Sequence, residues 1–258
     1  MEKGQVTIFI IIAIVIVGVF LLFFLFLKGI VPFPGGGKPE ENPSNYLQNC
    51  IEPKVTEAVG LLSSQGGNIN PELSLSFKFN SDKEAKEISY LCYNQNYYLP
   101  CINQEPMLIQ HLKSEIKTYI KKDVEDCLSS LKKSLENKGY AVDLSYRDFS
   151  VELVPEKVLI IIDSKMSFSK SGESSIIDGF KFSVASRFYD IAVVSQEIIS
   201  QEARFCNFEQ LGYMLLYPEF NIDKFRTGES TTIYTVEYRE SREKFRFAVR
   251  SCVIPPGF

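Results

Sequence analysis

The sequence predicts an α+β fold, in which one amino-terminal transmembrane helix precedes a disulfide-stapled ectodomain of antiparallel sheet packed with two or three long helices. Three observations predict it. Val6–Leu27 carries no charged side chain. Beyond it, segments of period-two alternation come in runs, broken by long stretches with apolar residues three and four apart, and not as a repeating strand–helix–strand series. Six cysteines are spread over the part of the chain beyond the apolar stretch, a usage that points to disulfides in an oxidising compartment.

Val6–Leu27 has twenty-two residues, and Thr7 is its one polar side chain. As a helix it would be about 33 Å long, enough for a hydrocarbon core of ~30 Å. An apolar helix also satisfies its own backbone in lipid. The run continues through Phe20–Leu27 with no small-residue cleavage pattern behind it, so it is expected to be retained and not removed as a secretory signal. A five-residue tail precedes it, the form of an anchor whose carboxyl side is exported, with Lys3 and the free amine on the other side. Gly29–Ser44 holds Pro32, Pro34, Gly35, Gly36, Gly37, Pro39 and Pro43 and is a spacer with no core of its own. The expected organisation is therefore an anchor at 1–28, a linker at 29–44 and an extracytoplasmic domain at 45–258, with a division into two lobes near residue 139 left open.

Glu2-Lys3-Gly4-Gln5-Val6-Thr7, running directly into the apolar stretch, resembles the class III signal of archaeal type IV pilin-like proteins. The resemblance covers about ten residues and implies cleavage after Gly4, with Gln5 as the first residue of the mature chain. Lys3, Gly4, Gln5 and Thr7 match the pattern. Phe9 stands where the family has a glutamate thought to dock neighbouring subunits, and Ala13 where it has a leucine. The remainder of the chain resembles membrane-anchored extracytoplasmic archaeal proteins, which implies a location and no activity.

Without Glu2, Lys3 and Lys28 the chain has 26 basic and 31 acidic residues, a net charge of −5. There is no basic stripe, which excludes nucleic acid as the expected partner. None of the six cysteines forms Cys-x-x-Cys, and His111 is the sole histidine. A zinc site is therefore not expected, nor any other metal or cofactor. Six cysteines allow fifteen pairings. The expected set is Cys92–Cys101, closing a short tyrosine-rich loop, with Cys50–Cys127 and Cys206–Cys252 tying distant elements.

In chain order, Tyr46–Ser64 has helical spacing, with Ser44 as its cap, a kink or restart at Pro53, and a stop at Gln65-Gly66-Gly67-Asn68. Leu73–Phe79 alternates as a half-buried strand, Asn80–Lys83 turns, and Glu87–Tyr93 returns. Asn94–Cys101 is a loop whose Tyr97 and Tyr98 are a contact patch or local packing. Pro106 opens the longest soluble helix, ending near Asn137. Its stripe is Leu108, Leu112, Ile116, Ile120, Val124, Cys127, Leu128, Leu131 and Leu135, opposite a lysine-rich face with interspersed acids. Tyr140–Tyr146, Ser150–Val154 and Val158–Phe168 are expected strands, with turns at Arg147-Asp148 and Pro155-Glu156. The unbroken run Val158–Ile162 predicts a central strand covered on both faces. After the polar turn Ser169–Ser175, Ile176–Val184 is a further strand or an approach to a helix. Helices are expected at Arg187–Ala203 and Glu209–Tyr217, then a hairpin of Thr231–Tyr238 and Lys244–Val253.

No catalytic residue stands out. Ser-x-x-Lys occurs at Ser129, Ser130 and Ser167, and Arg226-Thr227-Gly228 resembles a box of penicillin-binding enzymes, but the intermediate Ser-Asp-Asn box is missing. His111 lacks a visible nucleophile and orienting acid. The expected role is a single-pass, pilin-like surface or envelope component at the cell membrane. Such a component is structural and non-catalytic, with lipid bilayer and copies of itself or other envelope proteins as partners. A monomeric anchored binding module or adhesin is the alternative, and an anchored enzyme the second.

Overall fold

The structure is a computed structural model that describes Ile16, residues 42–80 and residues 82–254. Apart from Ile16, the Val6–Leu27 stretch and the processing residues Gly4 and Gln5 lie outside the described residues. Among the described residues, no helix is long and apolar enough to cross a membrane. Residues 43–258 form one unit by their contacts, separate from residues 1–42.

The nine-residue apolar stripe folds as α2, Leu108–Asn137, and all nine side chains are buried. At about 1.5–3 kcal/mol each, that burial is what holds so long a helix to the rest of the protein. Its lysines divide by position. Lys113 pairs with Glu152 at 2.6 Å and Lys117 with Asp148 at 2.7 Å, clasping α2 to a strand, whereas Lys121, Lys122 and Lys133 face solvent.

Before it, α1 spans Pro43–Gln65 and buries Leu47, Ile51, Val55, Ala58 and Leu62. Pro43 takes the first helical position, where a missing N–H leaves nothing unsatisfied, so Ser44 lies inside the first turn and not at the cap position expected for it. Of the kink or restart expected at Pro53, the helix shows no restart: it runs through the proline, its buried face continuing on both sides. After Gln65 the chain turns at Gly66 (φ +73°), where a Cβ would lie 3.0 Å from the backbone N and O of Ser89.

Two sheets flank the helices. The first has the order β1–β2–β9–β8–β7, with β3 beside β2. Its strands are β1 (Ser74–Phe77), β2 (Lys86–Tyr93), β3 (Ile102–Asn103), β7 (Phe220–Arg226), β8 (Thr232–Tyr238) and β9 (Lys244–Arg250). It is mixed, not purely antiparallel as expected, because β2 pairs parallel with β9. The crossover that a parallel pair requires contains most of the domain. β7 was not expected at all. It is an edge strand, and only Phe220 and Ile222 of it are buried.

The second sheet is a meander of β4 (Ala141–Val154), β5 (Lys157–Lys170) and β6 (Glu173–Ala185). The turn expected at Arg147-Asp148 is instead a register shift inside one continuous strand. Val142, Leu144 and Tyr146 point inward before it, and Phe149, Val151 and Leu153 after it. One extra residue flips the alternation, which mimics a strand break in sequence. β5 is central but is covered on one face only: Val158, Ile160 and Ile162 are buried, while Leu159 and Ile161 are half-buried. The strand enclosed on both faces is β8, where five successive residues from Ile233 to Glu237 are buried. Its outer side is closed by a small cluster of Ile88, Ile233 and Ala248 under Leu75, Phe77 and Phe79.

α3 (Phe188–Phe205) touches strands of both sheets, and α1 does likewise. The start of α3 is satisfied from outside the helix: Arg187 N–H donates to Glu243 (2.9 Å), and Phe188 N–H to Ser186 Oγ (3.1 Å). A short α4 follows at Gln210–Leu216.

Candidate functional site

Three disulfides join the six cysteines in the expected pairs, Cys50–Cys127, Cys92–Cys101 and Cys206–Cys252. The first bolts α1 to α2 through Cys127, a member of the buried stripe. The second closes the loop holding Tyr97 and Tyr98. The third ties the end of α3 to the segment after β9. The last two are neighbours, because Tyr98 N–H donates to Val253 O (3.0 Å) and Cys252 N–H to Leu99 O (2.8 Å). The Arg250 guanidinium lies over Tyr93 and Tyr97, at 5.8 and 5.9 Å from the ring centres, and donates to Asn94 O. Tyr97 is thus engaged in local packing. His111 is a packing residue too: its Nε2 lies 3.0 Å from Gly67 O, joining the first turn of α2 to the turn after α1. Ser129 and Ser130 are on the solvent face of α2.

Two further surface features carry chemistry. The first is apolar. α4 buries none of its residues fully. Its inner side is held by Met214, whose sulfur accepts from Ile222 N–H (3.1 Å), and by Tyr213, whose ring lies 5.4 Å from that of Phe208. Leu211 and Leu215, one turn apart, are 63% and 83% exposed, Leu216 is 77% exposed, and Phe205 at the end of α3 is 70% exposed. With Tyr217 these side chains present on the order of 600 Å² of apolar surface, at the top of what monomers ordinarily show.

The second is polar. A cavity of about 290 Å³ opens beside the Cys206–Cys252 bridge, lined by Glu202, Arg226, Thr227, Ser230, Thr232 and Ser251 among others. Glu202 is in the last turn of α3 on its buried side and is 3% exposed. Its Oε1 accepts from the Tyr234 hydroxyl and sits 3.7 Å from Lys224 Nζ. Lys224 also donates to Asn207 Oδ1 (2.7 Å) and Phe208 O (3.2 Å). Burial pulls the Lys224 ammonium below its ordinary pKa, opposed by the Glu202 carboxylate. Burial, and then the negative charge of Glu202, pushes the Tyr234 phenol well above its own. The tyrosine therefore stays a donor, and the carboxylate keeps two partners on one oxygen. Arg226, which also lines the cavity, is exposed at the end of β7 and makes no ion pair among the described residues.

Sequence reasoning missed this cavity, yet a signal was present. The buried side of α3 runs Phe188, Ile191, Ala192, Val194, Ser195, Ile198, Ile199 and then Glu202. An acid in phase with an apolar stripe marks a buried carboxylate. Among the described residues, no group of three or more His, Cys, Asp or Glu side chains is placed to hold a metal ion. In comparison with known proteins, the chain matches no family model and no curated protein sequence.

Proposed function

We propose that this chain is a membrane-anchored component of the cell surface or envelope, held by the Val6–Leu27 helix with the folded domain outside the cytoplasm. In this reading it assembles with further copies of itself through the apolar face of α4 and catalyses no reaction. The observation that carries the proposal is the exposure of Leu211, Leu215 and Leu216 at 63–83%. Large apolar side chains crowded on one short helix favour a partner that removes them from water. An interface of standard size takes about 800 Å² per partner, of which this face would supply the apolar centre. The three disulfides support export, since paired cysteines persist where the surroundings oxidise. The Lys3-Gly4-Gln5 sequence supports a subunit processed in the pilin-like manner.

The test is the mass of the full chain in mild detergent, measured by light scattering, beside that of Leu215→Glu. Wild type is expected as an oligomer and the variant as a monomer. A monomeric wild type, or a variant that assembles equally well, overturns self-assembly through this face.

A specific observation favours a second reading, that of an anchored binding module. It is the polar cavity over Glu202.

A further inference from the structure

We propose that the cavity beside the Cys206–Cys252 bridge binds a small carboxylate that also carries a hydrogen-bond donor, an amino or hydroxy acid. The reasoning starts from Glu202. Buried carboxylates ordinarily have both oxygens satisfied, because an unpaired buried acceptor costs free energy. Here the Tyr234 hydroxyl and the Lys224 ammonium both address Oε1. Among the described residues, neither they nor any other group donates to Oε2. Nor is that oxygen one of the solvent-sealed side-chain atoms without a partner among the described residues, which are Gln65 Oε1, Ser164 Oγ and Arg246 Nε. Oε2 therefore reaches the cavity that Glu202 lines, and it can accept there from an ammonium or a hydroxyl.

A second lining residue supplies the opposite requirement. Arg226 lines it and has no carboxylate partner among the described residues. Lys224 sits against Glu202, which leaves the Arg226 guanidinium available, and a guanidinium offers the two parallel N–H groups that a carboxylate takes best. Ser230 and Thr232 add hydroxyls to the lining, and Ile254 adds an apolar side chain. A volume of about 290 Å³ corresponds to about ten waters at ~30 Å³ each, which is room for a molecule of amino-acid size. Among the described residues no aromatic side chain lines the cavity, so none of them offers the stacking face that a sugar ring would use. The inference is independent of self-assembly through α4.

The test is calorimetric titration of the full chain in detergent with L-serine, lactate, acetate and glycerol. L-Serine and lactate are expected to bind. Acetate, which lacks the donor, is expected to bind at least ten-fold more weakly, and glycerol, which lacks the carboxylate, not measurably. Arg226→Ala, at an exposed position, is expected to weaken L-serine at least ten-fold. Glu202→Gln is expected to remove the preference for L-serine over acetate. If Glu202→Gln does not fold, Arg226→Ala and the ligand series still decide. No binding by L-serine or lactate, glycerol binding as well as L-serine, or unchanged affinity in Arg226→Ala would each overturn the proposal.

Discussion

Glu237 shows how one residue couples the fold to pH. Its side chain is 8% exposed, 2.9 Å from Arg242 and 3.4 Å from Lys244. Burial alone would raise its pKa, but the hydrogen bond from Arg242 and the charges of Lys244 and Arg242 outweigh it and hold the carboxyl below the usual range. A depressed folded pKa contributes stability above the unfolded value of about 4.5 and loses it as pH falls through the folded value. Glu237→Gln is therefore expected to lower stability at neutral pH by about 1 kcal/mol, with the gap to wild type closing below about pH 4. Urea midpoints measured from pH 3 to 7 check it, and a gap constant over that range would contradict it. Gly66 is constrained by its backbone instead. Its φ of +73° and the 3.0 Å approach to Ser89 both oppose a side chain. Gly66→Ala is expected to cost about 1–3 kcal/mol in urea unfolding, and a change within ~0.5 kcal/mol would show that the turn can move.

At the scale of elements, the bond between α1 and α2 can be isolated. Cys50–Cys127 closes a separation of 77 residues, for which chain entropy gives about 4.5 kcal/mol. The double variant Cys50→Ala, Cys127→Ala removes the bond without stranding a thiol. It is expected to lower stability by about 2–5 kcal/mol, read from denaturant midpoints, while the helical circular dichroism is kept because the stripe of α2 is still buried. Loss of the helical signal in the folded state would mean that the bond, not the stripe, holds α2 in place. That stripe was legible because nine apolar residues at one spacing leave no other solution. β4 was legible only as fragments, since its alternation reverses at Arg147 and a reversal looks like a break. β7 went unseen because an edge strand with two buried residues carries little pattern. The parallel pairing of β2 with β9 joins segments far apart in sequence, which local spacing does not encode. The cavity is similar: Glu202, Arg226 and Ser251 converge only after α3, β7 and the segment after β9 have packed.

At the scale of the whole molecule, a small apolar face and a polar cavity sit on a domain bolted by three disulfides. The proposal places that domain outside the cytoplasm, on a helix that precedes it. Assembly through α4 rests on its exposed leucines and ligand capture on the cavity over Glu202, and the two are tested separately above. Placement itself is read most directly from the intact mass of the chain extracted from native membranes, alkylated with iodoacetamide before any reductant is added. The account predicts a membrane-extracted chain that takes up no alkyl group on its six cysteines and begins at Gln5. A chain recovered in the aqueous fraction, beginning at Met1 and carrying an adduct on all six, would contradict it.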